Sequence, residues 1–342
     1  LIRVVAIVLV VLIHVLSPFF NAGAVMLGEL DVVKLLSREI RFVVPMYVVL
    51  TGALVWGRAA ESARHDWRVF FVRRARSVLV PYLVWSAFFM LFTPVNELAS
   101  PESMRLALRG VVLGSTWYHL YFVPIILGVY ALTPVVSVAL RRMGTSGGAI
   151  VFLLSLVVGI VTPVEVARSG LQDRAFMALV VLIASYLPYA ALGAWYSTVC
   201  SSSWGLALAQ RGWVPLLVAG AVLRGWFGAV VPWPTTPYAA VVLAVCMNLL
   251  QCLALLLLAR VFAERWPHRA RLATPWASVV LGVYLAHPLL IKLLYPLVDN
   301  GILPPAVWVA TVWPAVTVAC FTGVRALSKY RSLWWVHGVA PR

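Results

Sequence analysis

RVVAIVLVVLIH, residues 3–14, decides how the rest of the chain is read. A cation opens the run, an imidazole closes it, and every residue between them is aliphatic. Extended to residues 1–20, the stretch has the length and apolarity of a helix that crosses a bilayer. At 100° per residue, the eleven steps from Arg3 to His14 return to nearly the same helix face, about three turns and about 16 Å along the axis. One face therefore carries Arg3 at one level and His14 well inside the apolar layer. An ionisable group at that depth is expensive and marks a functional site by default. The bland alternative is a buried histidine bonded to a carbonyl of a neighbouring helix. It is the better reading of one histidine alone, and the rest of the chain reverses it.

Working outward, apolar stretches of spanning length recur near 41–57, 77–94, 119–140, 149–163, 175–198, 213–231, 238–259, 275–295 and 304–325. Of the 342 residues, 63% are hydrophobic and 11% charged, too few charges to cover a soluble globule of this size. The expected fold is all-α: a polytopic membrane bundle of about ten transmembrane helices, forming a single domain over 1–342. The segment 149–163 is short, and 213–231 contains Arg224. Loops are short, and we find no separate soluble domain and no internal repeat of the kind that builds two-fold transporters.

Charge orients this bundle. With the N-terminus inside, one side collects Arg3, six Lys/Arg from Arg58 to Arg76, Arg141, Arg142, Arg211, four from Arg260 to Arg271, and Arg325, Lys329, Arg331 and Arg342, making 18 of the 27. The other side holds seven Lys/Arg and eight of the eleven acids. This asymmetry predicts that both termini are cytoplasmic. The net charge of +16 is then mostly one membrane face turned toward anionic lipid, and nucleic acid is not an expected partner. The four cysteines are scattered with no C-x-x-C spacing, so neither a metal site nor a disulfide framework is expected. Trp117, Tyr118, Trp213, Trp233, Trp276 and Trp313 fall near predicted helix ends, as an interfacial aromatic belt does.

Several side chains suit chemistry. Arg73, Arg74 and Arg76 open the third segment on its cytoplasmic side. They read either as anchors against anionic lipid or as a docking site for a phosphorylated ligand, because guanidinium binds phosphate bidentately and positions three apart share a helix face. His287, in VYLAHPLL, lies twelve residues into its segment and so comes to about the level of His14. Structural and functional roles weigh equally for it, and Pro288 after it would free a carbonyl where a cavity or neighbour satisfies the backbone. His119, in WYHLYF, begins a segment at the outer face, where an acceptor-site or interfacial role is open. Arg224 has no intramembrane acid nearby in sequence, so it either snorkels outward or lines a polar cavity.

Taken in order, Arg3-x10-His14, RFVVPMYVVLTGALV at 41–55, RRARSVLVPYLVWS at 73–86, HLYFVPIILGVYALTPVV at 119–136 and VYLAHPLL at 283–290 resemble the acyltransferase 3 family of integral membrane acyltransferases. The similarity covers most of the chain, and within the family it is nearest the surface-polysaccharide O-acetyltransferase branch. Tyr47 and Thr51-Gly52 stand where that branch carries Leu or Phe and Ser-Gly. The resemblance implies an enzyme of a bacterial inner membrane that moves an acyl group, acetyl in this branch, from acyl-CoA to a hydroxyl of an extracytoplasmic carbohydrate or lipid-linked sugar. His14 and Arg3 would be catalytic, Arg73, Arg74 and Arg76 would hold the CoA phosphates, and His287 and His119 would contact substrate. Neutral imidazole, with a pKa of about 6.5, suits a general base, and direct transfer and a covalent acyl-histidine both remain open. The competing class is a transporter or flippase of a small molecule or lipid-linked sugar, which would need intramembrane acids for ion coupling or a visible repeat.

Overall fold

A computed structural model describes residues 1–19, 36, 39–61, 66–92, 101–199, 203–229 and 235–339. Helix is the regular structure among them. In chain order the main elements are α1 (Ile2–Leu16), α2 (Val43–Thr51), α3 (Trp67–Arg74), α4 (Val80–Met90), α5 (Pro101–Leu113), α6 (Phe122–Arg168), α7 (Ala175–Ala184), α8 (Leu187–Val199), α9 (Ser203–Ala229), α10 (Pro237–Arg265), α11 (Val280–Leu294) and α12 (Pro305–Leu327).

Among the described residues, seven helical stretches are long and apolar enough to cross a membrane: Ile2–Phe19, Ile40–Glu61, Phe122–Arg168, Ala175–Val199, Pro237–Arg265, Val280–Asp299 and Pro305–Leu327. The sequence reading expects about ten, and the physical reasons for the difference are local. The 47-residue α6 joins two of the expected segments, and it is interrupted at Gly144 with φ 55° and ψ −133°, a backbone conformation open to glycine. Close behind the break, a Cβ on Gly147 would lie 2.7 Å from the Ala139 carbonyl oxygen, so 122–143 and 145–168 turn back on one another as a helical hairpin. Elsewhere, the stretch from α3 into α4 carries Arg73, Arg74 and Arg76, and α9 carries Arg211 and Arg224, which lowers the apolarity of both. Most of 21–40 lies outside the described residues, as do 93–100, Pro232, Pro234 and Cys200, whereas the connection that leads to the segment at 119–140 carries the helix α5.

The chain forms two compact units. The first comprises Leu1–Val44, Gly212–Pro232 and Leu250–Arg342. In it α1 packs against α11 and α12, which also pack against each other. Two tryptophans of α12 fix the register: Trp308 Nε1 donates to the Val15 carbonyl at 2.8 Å, and Trp313 Nε1 to the Val8 carbonyl at 3.0 Å. The two helices therefore run antiparallel. Val15 lies in the last turn of α1, where carbonyls lack an intrahelical donor, so a fully buried indole supplies what the helix cannot. Bonds of this kind contribute about 0.6 kcal/mol each inside a membrane, enough to select a register that apolar packing alone leaves loose.

The second unit comprises Pro45–Arg211 and Trp233–Leu249. Its centre is a crossing of α8 over the widened turn Gly52–Gly57 that follows α2. A Cβ on Gly52 would stand 1.9 Å from the Ala190 carbonyl oxygen, and one on Gly193 the same distance from the Val49 carbonyl oxygen. The backbones touch there because Gly52, Gly193 and the buried Ala190, Ala191 and Ala194 leave room. Lipid tails are as apolar as leucine, so close van der Waals contact between small residues is what holds such helices together. Beside the crossing, Trp56 Nε1 and Thr133 Oγ1 both donate to the Val129 carbonyl, at 2.9 and 3.1 Å.

Candidate functional site

His14 and His287 meet in the first unit. Their ring centroids lie 5.1 Å apart with the planes tilted by 31°. His14 is half-buried in the last turn of α1, and Ser17 Oγ donates to its carbonyl at 2.7 Å where the helix closes. His287 is fully buried on α11, with Nδ1 3.1 Å from the Val283 carbonyl oxygen. A carbonyl only accepts, so Nδ1 is the protonated nitrogen and Nε2 of the neutral ring carries the lone pair. Pro288 has no N–H, which removes the helical bond to the Tyr284 carbonyl one turn back and loosens α11 beside the ring. The tryptophan bonds lock α1, which carries His14, to α12, and α11, which carries His287, packs against both.

Arg3 is not brought to this pair. It is exposed in the first turn of α1, on His14's face but three turns away. His119 belongs to the second unit, buried in an aromatic box. The Phe89 ring meets it edge-on at 5.5 Å and stacks on Trp117 at 4.8 Å, while Tyr118 closes a further side at 5.6 Å.

The arginine cluster, also in the second unit, divides in two. Arg73 and Arg76 are exposed, whereas Arg74 is half-buried with its guanidinium over the rings of Phe70 at 5.3 Å and Tyr130 at 5.0 Å. Asp66 starts their helix by accepting from the Val69 N–H at 3.0 Å, and the turn Ala75–Leu79 is widened. Stacking on aromatic faces restrains one guanidinium and leaves two presented outward, an arrangement able to hold a phosphate group bidentately. Among the described residues no three His, Cys, Asp or Glu side chains are grouped to hold a metal ion.

One cluster escaped the sequence reading. Arg224, which has no acid near it in sequence, donates through Nη2 to Gln251 Oε1 at 2.9 Å, and Gln251 Nε2 donates to Glu39 Oε2 at 3.3 Å. The signal available was Gln251 itself, a polar amide in the apolar run 238–259. Its partner Glu39 is 212 positions away, beyond any local pattern.

No match was found among curated proteins or among solved structures. A family model described as an acyltransferase domain, that of acyltransferase 3, matches residues 1–324 and so runs through both units. With a histidine pair on neighbouring helices, an arginine cluster and that match on one helical membrane chain, this protein belongs to the acyltransferase 3 family and is a membrane acyltransferase.

Proposed function

We propose that the protein transfers an acyl group, acetyl in the simplest case, from acyl-CoA on the cytoplasmic side of a bacterial inner membrane to a hydroxyl of an extracytoplasmic carbohydrate or lipid-linked sugar. The observation that carries this reading is the His14–His287 pair at 5.1 Å, two imidazoles on neighbouring apolar helices. Acyl-CoA, when bound, supplies the thioester. Arg73 and Arg76 hold its phosphates by charge-assisted bonds, and Arg74, stacked on Phe70 and Tyr130, steadies the helix that presents them. Arg3 adds positive charge at the cytoplasmic end of α1.

His14 is the general base. It removes the proton from the acceptor hydroxyl as that oxygen attacks the thioester carbonyl, and it returns the proton to the departing CoA sulfur. His287, anchored to Val283, holds the His14 ring in the orientation the proton transfer needs. His119 contacts the acceptor within its aromatic box. Release of free thiol from acetyl-CoA by the purified protein tests the assignment. Steady release dependent on the protein is expected. Stoichiometric binding without release, or transport of a lipid-linked sugar with acetyl-CoA left intact, would overturn it.

A further inference from the structure

We propose that Arg224, Gln251 and Glu39 form a subsite for the hydroxyl groups of the acceptor, an inference that rests on the O-acyltransfer reading. All three belong to the unit that carries His14. Gln251 is buried, while Arg224 and Glu39 are half-exposed, so the chain of bonds is fixed in the middle and reaches the surface at its ends. Gly220 gives the amide its place: a Cβ there would lie 2.7 Å from Gln251 Cγ, so α9 approaches closely where Gln251 sits.

The order of groups is guanidinium, amide, carboxylate. Stability alone does not select that order, because a cation and an anion in an apolar layer gain most from direct contact, and apolar residues of similar size often serve as well or better. Here a neutral amide stands between them, so donors at one end and acceptors at the other are spread along a line. Planar groups that alternate in this way match neighbouring hydroxyls, which donate and accept at once. The position relates the cluster to the chemistry. Glu39 directly precedes the turn Ile40–Phe42, which packs against α1, and the Cys252 thiol reaches the Phe42 carbonyl at 3.6 Å beside the Gln251–Glu39 bond. Two adjacent residues of α10 thus hold the segment that carries the carboxylate, and the turn that follows Glu39 packs against the helix that carries His14.

Saturation-transfer NMR on the full chain in nanodiscs tests this, with methyl β-D-glucopyranoside and methyl β-D-galactopyranoside as probes. The native protein is expected to transfer saturation to the sugar protons, and Gln251→Leu to weaken the apparent affinity about tenfold or more, the loss that follows when hydrogen bonds to charged groups are broken. Glu39→Gln keeps size and packing and should weaken it in the same direction, which separates lost recognition from lost folding; monodisperse elution of each variant accompanies the measurement. Equal saturation transfer in the native protein and in a folded Glu39→Gln variant, including none in either, overturns the subsite. Thiol release from acetyl-CoA by the same native preparation reports separately on acyltransfer. Sugar binding lost in the variants without any thiol release by the native protein would leave a hydroxyl site standing and the acyltransferase mechanism refuted.

Discussion

At the scale of single residues, the account depends on His14 keeping a usable lone pair in an apolar setting, and His287 controls that through geometry. Because Nδ1 of His287 is held by Val283, the ring beside His14 has one orientation and one tautomer. Replacing His287 by Ala should lower kcat by about 10²-fold while KM for acetyl-CoA stays within about twofold, the signature of an interaction needed in the transition state rather than in binding. A rise in KM with kcat intact would instead place His287 on the substrate. The exposed arginines predict the opposite split. Arg73→Ala together with Arg76→Ala should raise the Kd for CoA by about tenfold or more and flatten its dependence on salt, since the lost bonds are charge-assisted. Unchanged affinity would return the cluster to lipid anchoring. Helix depth made His14 and His287 legible in the sequence as a pair at one level, because rise per residue is constant. The Arg224–Gln251–Glu39 chain was not legible. Its members come from three distant segments, and periodicity along one helix says nothing about which side chains another brings to it.

At the scale of elements, the apolar runs marked most helices, while the breaks within them were harder to read. Residues 119–140 and 149–163 appear in the sequence as two segments with a polar gap, and the chain crosses that gap by one reversal at Gly144. The widened turns at Gly52–Gly57 and Ala75–Leu79 left no mark on the apolar pattern, because an extra residue in a turn shifts faces without changing composition. Their purpose is visible only in packing, above all where α8 meets Gly52. Gly193→Ala should therefore separate the two backbones, lower the thermal midpoint by about 5 °C or more and reduce the monodisperse fraction, since overpacking costs about 1–3 kcal/mol and the added carbon meets backbone rather than a flexible side chain. Fluorescence-detected size exclusion after stepwise heating measures it. A midpoint equal to that of the native protein would mean the crossing is looser than the described contact.

At the scale of the whole molecule, the distribution of charge predicts sidedness independently of the family. Ser146, exposed beside Arg141 and Arg142, should lie on the cytoplasmic side, and Ser115, exposed ahead of the His119 box, on the other. A cysteine at Ser115 should react with an impermeant maleimide from outside intact cells, and one at Ser146 only after the membrane is opened. The reverse pattern would invert the orientation and with it the side from which acyl-CoA arrives. All of this converges on the claim that His14 carries the proton during acyl transfer. The most direct measurement compares turnover of acetyl-CoA by the purified native protein with that of His14→Ala in the same lipid, with elution profiles showing both to be folded. The account predicts a fall of about 10²-fold or more in the variant, the size of a lost general base. Native turnover in a folded His14→Ala protein would contradict it.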